Sequence, residues 1–360
     1  MSGKKVVVGM SGGVDSSVAA WLLQQQGYQV IGVTMQIWQD EEEFVQEAEG
    51  GCCGLSAVED ARRVAQVLGI PYYVMNFKKE FREKVIDYFA DEYLQGRTPN
   101  PCIACNRYVK WEALLRRSLE IGADYIATGH YARIVRLENG RYAVKKSVTE
   151  GKDQTYALYS LTQDQLAHTL MPVGNYTKAE IRELARQAGL PVADKEDSQE
   201  ICFVPDGDYA SFIERHTGRR IPEGNFVTAG GEVLGRHRGI THYTIGQRRG
   251  LGLPMGRRVF VREIRPETNE VVVGEGDEVF SGTLRANHIS FMAVPEIPIG
   301  EEGRFLAKIR YGHKGAACTV RRTGQDEITC IFEEPVRAVT PGQAVVFYQD
   351  GCVAGGGTIL

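Results

Sequence analysis

The chain has 360 residues, 43% hydrophobic and 24% charged, with 42 Lys+Arg against 46 Asp+Glu and a net charge of −4. That is the composition of a globular protein, at a length that predicts two or three domains rather than one core. No apolar run approaches the eighteen or so residues of a membrane span, and Met1-Ser2-Gly3-Lys4-Lys5 leads straight into a strand, so neither a span nor a signal peptide is expected and the cytoplasm is the default.

Val6-Val7-Val8-Gly9 reads as an apolar strand, Met10-Ser11-Gly12-Gly13 as a turn, and Val14-Asp15-Ser16-Ser17 as the opening of a helix that runs to Gly27. Two glycines and several hydroxyls at a strand-to-helix turn suit an anion. The first amides of a helix lack intrahelical partners, and the helix dipole favours negative charge there. The competing reading is an ordinary N-cap by Ser11 or Asp15. The loop is neither a Walker A motif nor G-x-G-x-x-G. A carboxylate at Asp15 would repel phosphates unless a cation bridged them, which points to Mg2+.

Gln29 to Ile37 forms the next strand, followed by an acidic loop over 40–49. Ser56-Ala57-Val58-Glu59 has the spacing of a capping box and starts a helix through Leu68, closed by Gly69. Strands at Pro71–Asn76 and Asp124–His130 and helices at Phe81–Tyr93 and Arg107–Ile121 continue the alternation. Such repetition predicts an α/β, doubly wound parallel sheet with ligands at the carboxyl ends of its strands, where Gly12, Met35, Gly129 and His130 fall.

Beyond Tyr131 the texture changes. Strand-like 133–137 and 141–144 flank Glu138-Asn139-Gly140, a hairpin signal, and helices follow around 164–169 and 177–188. Residues 206–280 are Gly- and Arg-rich with short strands, and 281–360 reads as a small β-barrel or sandwich. The expected domains are 1–205, 206–280 and 281–360. Residues 206–265 carry 11 Arg and no Lys against 6 acidic residues, a footprint for a polyanion or a solvated basic face.

The eight cysteines stand at 52, 53, 102, 105, 202, 318, 330 and 352. In a chain without a leader they are expected as thiols, ligands or catalysts. Pro99 and Pro101 hold Thr98-Pro99-Asn100-Pro101 extended and put a helix start near Cys105 and Asn106, where the helix terminus, Arg107 and Lys110 would favour a thiolate. Three readings stand: a zinc site shared by Cys102-x-x-Cys105 and Cys52-Cys53, a three-thiolate iron–sulfur site from Cys102, Cys105 and Cys202, or a reactive pair, Cys105 and Cys202, with a transferable sulfur on one. Cys318, Cys330 and Cys352 fit small buried hydrophobes.

Ser11-Gly12-Gly13-Val14-Asp15-Ser16, Asn100-Pro101-Cys102-Ile103-Ala104-Cys105-Asn106 and Ser198-Gln199-Glu200-Ile201-Cys202-Phe203 occur in that order. With them the chain resembles, over its full length, the tRNA-specific 2-thiouridylases of the PP-loop ATP pyrophosphatase superfamily. The resemblance implies an adenine-nucleotide alpha hydrolase-like domain, a small middle tRNA-binding domain and a C-terminal β-barrel. It implies ATP with Mg2+ at Gly9, Met10, Ser11, Gly12, Gly13, Val14, Asp15, Ser16, Met35 and Gly129. It places the nucleophile on Cys105, the persulfide sulfur on Cys202, and tRNA contacts on His130, Lys152, Asp153, Gln154, Arg310, Tyr311 and Gln343. The partners implied are tRNA, through the wobble uridine of the anticodon stem-loop, and a sulfur donor, either a cysteine desulfurase or a relay protein. Some members of that family carry Asp at the position of Cys102, so the cluster reading stays open here.

The chemistry expected is adenylylation of the uridine 2-oxygen and its replacement by sulfur. The target base would flip out, with His130 and Tyr131 stacking on it or bonding its edge. Arg236, Arg238, Arg248, Arg249, Arg257 and Arg258 suit phosphates, and Gln247 sits in a loop that RNA would order. The alternatives are a PP-loop enzyme that amidates or ligates a small metabolite, and a non-enzymatic RNA- or metal-binding protein.

Overall fold

A computed structural model describes residues 3–37, 55–196 and 201–360. The acidic loop, Cys52, Cys53 and 197–200 lie outside the described residues. The first elements are β1 (Lys5–Gly9), α1 (Val14–Gln25), β2 (Gln29–Gln36), α2 (Leu55–Leu68), β3 (Tyr72–Asn76), α3 (Lys78–Phe81), α4 (Asp87–Leu94) and α5 (Pro101–Ala104). A π-helix over Cys105–Leu114 runs into α6 (Leu115–Glu120), then β4 (Tyr125–Ala127), β5 (Ala132–Arg136), β6 (Tyr142–Lys146), α7 (Gln163–Ala167), β7 (Thr169–Leu170) and α8 (Lys178–Gln187). After α9 (Tyr209–Thr217) come β8 (Gly224–Val227), β9 (Val233–His237), β10 (Phe260–Arg265) and β11 (Glu270–Gly274). The last strands are β12 (Phe280–Phe291), β13 (Glu302–Lys308), β14 (Ala316–Gly324), β15 (Glu327–Arg337), β16 (Ala344–Gln349) and β17 (Cys352–Ile359).

The chain forms two compact units, one of residues 1–85, 102–207 and 350–353, the other of 86–101, 208–349 and 354–360. The first holds a parallel sheet in the order β3-β2-β1-β4-β7. Val6, Val8 and Met10 alternate onto one face and join Val18, Leu22 and Leu23 of α1, Ala61 and Val64 of α2, and Ile181 and Ala185 of α8 in one buried cluster. The hairpin β5–β6 forms as expected, with Arg136 opposite Tyr142 and Gly140 at φ +81°. Thr162 with Gln165 and Thr177 with Glu180 make complete capping boxes at the starts of α7 and α8.

In the second unit four strands lie in the order β10-β11-β8-β9 over a cluster of Phe226, Tyr243, Val261, Val271 and Val273. The unexpected helix α9 is capped by Asp208, which accepts from Ser211 N at 3.1 Å, and ends at Gly218 in the left-handed region. Strands β12-β15-β14-β13-β16-β17 form an antiparallel sheet, and β12–β17 pairing closes it into a six-strand barrel. Cys318 and Cys330 fill its core as small apolar groups, and hydrogen bonding from Cys318 together with burial pushes the Cys330 thiol up.

Two helix starts differ from expectation. α2 begins at Leu55, so Ser56 lies inside its first turn rather than at its cap. The helix expected from Arg107 begins at Pro101, because proline at a first helical position gives up only an amide that has no partner there anyway.

Candidate active site

The loop after β1 is held by its neighbours on β2. Met10 N donates to Val33 O at 2.8 Å, Thr34 Oγ1 donates to Met10 O at 2.8 Å, and Tyr72 OH donates to Thr34 Oγ1 at 2.7 Å. Gly12, at φ +69°, turns the chain directly against Ala57 O, where a Cβ has no room. The N-cap of α1 is Gly13, in extended conformation and with no side-chain cap bond. Neither Ser11 nor Asp15 therefore caps the helix. Ser16 Oγ accepts from Ser11 N at 3.2 Å, and Ser17 Oγ donates to Gly13 O at 2.8 Å, so these hydroxyls brace the turn and leave the first amides of α1 open to an anion.

Asp15 is committed elsewhere. Its Oδ1 accepts from Lys178 Nζ at 2.7 Å and from Tyr131 OH at 2.8 Å, and the Lys178 side chain is only 16% exposed. Tyr131 is buried with its hydroxyl so used, so it is no platform for stacking a base. Sequence reasoning missed Lys178. The available signal was a lysine in the first turn of a helix, where the dipole repels it unless a nearby anion holds it. Asp15 Oδ2 makes no hydrogen bond among the described residues. That donor set, a single carboxylate oxygen beside an anion-binding turn, fits Mg2+ shared with phosphate oxygens rather than caged by protein.

Gly129 joins the same corner: a Cβ there would lie 2.5 Å from Ser16 N and 2.7 Å from the Asp15 carbonyl carbon. Gly9 pairs with Val33 and Met35 with Met75, so the expected nucleotide residues gather at the carboxyl ends of β1, β2 and β4. The His130 ring lies 5.6 Å from Trp111, and its Nδ1 is 2.7 Å from Thr128 Oγ1. Desolvation, then the charge of Lys110, holds its pKa well below the ordinary imidazole value.

Cys102 is exposed in the first turn of α5, while Cys105 is half-buried one turn further in, at the first residue of the π-helix. The start-of-helix position expected for Cys105 thus belongs to Cys102. The cations expected beside the thiol have acidic or amide partners: Arg107 pairs with Glu112 at 3.8 Å, and Lys110 Nζ donates to Asn106 Oδ1 at 2.8 Å. Cys202 is half-buried in the turn closed by Val204 N donating to Ile201 O at 2.9 Å. Buried Phe203 anchors that turn edge-on against Phe81 at 5.9 Å. Among the described residues no three His, Cys, Asp or Glu side chains converge as metal ligands, and Cys52 and Cys53 lie outside them.

The expected tRNA contacts divide by exposure. Lys152 is exposed, whereas Asp153 is buried and accepts from Thr155 Oγ1 at 2.8 Å, and Gln154 Oε1 accepts from Tyr131 N at 2.8 Å. In the second unit Tyr311 is 49% exposed, Arg310 donates to Arg337 O at 2.8 Å, and Gln343 donates to Thr98 O at 2.8 Å. Of the arginine band, Arg236 pairs with Glu223 and Arg257 with Glu275, while Arg238, Arg248, Arg249 and Arg258 make no ion pair among the described residues. Arg248, Arg257 and Arg258 line a cavity of about 550 Å³ with Leu251, Leu253 and Val259. Gln247 braces its own turn, accepting from Thr244 N and donating to Arg249 O. Burial lowers the His237 pKa below the ordinary imidazole value, which disfavours a charge there.

Residues 4–206 match the tRNA methyl transferase HUP domain family, 210–275 its PRC-barrel domain, and 281–359 the aminomethyltransferase beta-barrel domain. The chain is 68% identical over 357 residues to the tRNA-specific 2-thiouridylase MnmA of Lachnoclostridium phytofermentans, covering 99% of both chains. It is 56% identical to that of Clostridioides difficile, over 99% of this chain and 98% of the relative. It also has a slight likeness to a 4-thiouridine synthetase–RNA complex with bound ATP: 20% identity, 60% of this chain and 50% of that one, TM-score 0.33.

Proposed function

Because the chain belongs to the tRNA-specific 2-thiouridylases, enzymes that transfer sulfur to tRNA, we propose that it thiolates the wobble uridine at C2 by adenylylation followed by persulfide transfer. The observation that carries this reading is the uncapped start of α1, braced by Ser16 and Ser17, in the same compact unit as Cys105 and Cys202.

A uridine carbonyl oxygen is a poor leaving group. Its attack on the α-phosphorus of ATP expels pyrophosphate and converts the oxygen into part of AMP, a good one. The loop from Gly9 to Ser16, with Met35 and Gly129 beside it, holds the phosphates through backbone amides positioned before they bind. Asp15 would help hold Mg2+, which would supply positive charge to offset that of the phosphates. Lys178, paired with Asp15, can exchange that carboxylate for a phosphate oxygen.

Sulfur arrives as a persulfide on Cys202, loaded by a cysteine desulfurase or relay protein. The Cys105 thiolate attacks the Cys202 sulfur, forming a Cys105–Cys202 disulfide and releasing hydrosulfide. Hydrosulfide adds at C2, AMP departs with the former uridine oxygen, and an external thiol reductant resets the pair. In this reading residues 1–205 activate and thiolate, while the arginines of 206–280 and the barrel of 281–360 hold tRNA through Arg248, Arg249, Arg258, Arg310 and Tyr311. His130 and Lys152 present their groups on the first unit. Buried Asp153 shapes the turn that carries Lys152 and Gln154.

The test is Cys202→Ala. It should keep tRNA-dependent AMP formation and lose 2-thiouridine in the nucleosides of the treated tRNA. Undiminished thiolation would overturn the persulfide route. A metabolite-ligating enzyme would instead need neither cysteine and would turn over ATP without tRNA.

A further inference from the structure

The turn between β15 and β16 grips the segment that leads into the thiol helix. Gln343 Nε2 donates to Thr98 O at 2.8 Å and to Pro99 O at 3.3 Å, and Thr98 N donates to Pro341 O at 2.9 Å. The turn is itself fixed to β17: Gly342 N donates to Ile359 O at 2.9 Å, and Ile359 N donates to Gln343 O at 2.8 Å. Gly342 sits at φ +88°, where a Cβ would lie 3.0 Å from Thr98 N and 3.1 Å from Arg97 Cβ. Thr98-Pro99-Asn100-Pro101 cannot organise itself in this way, because two of its four residues have no backbone N–H. The buried Thr98 hydroxyl has no hydrogen-bond partner among the described residues, so the side chain adds no anchor.

We infer that Gln343 is a positioning residue: by holding the Thr98 and Pro99 carbonyls it sets where the helix at Pro101 begins, and with it the presentation of Cys102 and Cys105. The consequence for catalysis rests on the thiol chemistry proposed above, whereas the clamp itself does not. The clamp uses both protons of the Gln343 amide nitrogen and stands beside the tRNA contact expected at that residue.

The experiment uses the full-length protein, first without tRNA. Alkylation of Cys102, Cys105 and Cys202 by iodoacetamide is followed by peptide mass spectrometry in the wild type, Gln343→Ala, Gln343→Glu and Gln343→Lys. Ala, which lacks the donor, and Glu, which opposes a carboxylate to two carbonyls, should change the alkylation rates of Cys102 and Cys105 at least about threefold and leave Cys202 unchanged. Lys, an ammonium that can donate to both carbonyls, should restore them. In thiolation assays Ala should lower kcat about tenfold with KM for tRNA within about twofold, as misplacement of a reacting group does. Unchanged alkylation in all variants, with KM alone rising, would overturn the clamp and make Gln343 an RNA contact. If Ala and Glu fail to fold, Gln343→Met, which keeps the length of the side chain and lacks the donor, replaces them: altered alkylation of Cys102 and Cys105 in a folded protein supports the clamp, and wild-type rates refute it. Absence of thiolation even in the wild type would sink the functional reading and leave the alkylation result standing.

Discussion

Substituting Gly129 with alanine should damage nucleotide binding far more than it damages the fold. Gly129 is not in the left-handed region, so alanine carries no backbone penalty there, and the effect is one of close approach. The added Cβ would meet Ser16 N at 2.5 Å, where ordinary contact begins at 3.4 Å, and neither of the atoms it meets first is the flexible end of a side chain. The start of α1 must therefore retreat by about 0.9 Å, an overpacking expected to cost about 1–3 kcal/mol of stability, tolerable beside the roughly 5–15 kcal/mol of a typical domain. The amides that move are those proposed to face the phosphates. Misplacement by about 1 Å is worth about 10²-fold, or about 2.7 kcal/mol of transition-state stabilisation. Circular dichroism and thermal melting would establish the fold, calorimetry the ATP affinity, and pyrophosphate release the rate. Gly151→Ala is the control, because nothing lies within 4 Å of its added Cβ. ATP affinity within twofold of wild type in Gly129→Ala would refute the close-approach reasoning.

Replacing Arg248 and Arg249 together with alanine should weaken tRNA binding across sequences and reduce the salt slope of log K by about 1.4–1.8, two phosphate contacts' worth. Filter binding at several salt concentrations checks it, and an unchanged slope removes these arginines from the interface. His130 carries a pH signature of definite sign. Its folded pKa is depressed, so the unfolded chain binds more protons once the pH falls to the ordinary imidazole value of 6.5. The contribution is whole above that value and is lost as pH falls below it. His130→Gln should flatten the decline of melting temperature between about pH 7 and pH 5, and an acid slope equal to that of the wild type would show that the imidazole is not desolvated.

Much of the fold was legible because its signals are local. Val6 to Val8, the Thr177–Glu180 box and Glu138-Asn139-Gly140 each state an element within a few residues, and the parallel sheet, the hairpin and the barrel follow. Misreadings arose where one residue type has two meanings. Pro101 looks like a breaker but starts a helix, which moves Cys105 inward by a turn and gives the exposed terminal position to Cys102. The π-helix from Cys105 to Leu114 buries Asn106 and Trp111, five apart, a spacing that a 3.6-residue period does not anticipate. Asp208-x-x-Ser211 was available as a cap for α9 and lay hidden in a stretch read as loop and strand. At the site, Ser11 to Ser16 and Gly129 come together as their positions suggested. The partners of Asp15 could not be read from the chain, because Tyr131 is 116 residues away and Lys178 is 163.

The Asp15–Lys178 pair also bears on which anions the loop can hold at rest. With ammonium and carboxylate 2.7 Å apart and largely withdrawn from water, their fields cancel outside the pair, and the turn offers a ligand little more than amide dipoles. A small anion such as sulfate or inorganic phosphate could bind the amides of the turn without offering the aspartate a replacement for its lysine. In the proposed reading a polyphosphate arriving with its own divalent cation would bring a replacement partner for each: phosphate oxygens for the lysine, metal for the aspartate. In that reading the selectivity of the loop would lie in an exchange of counter-ions rather than in shape alone.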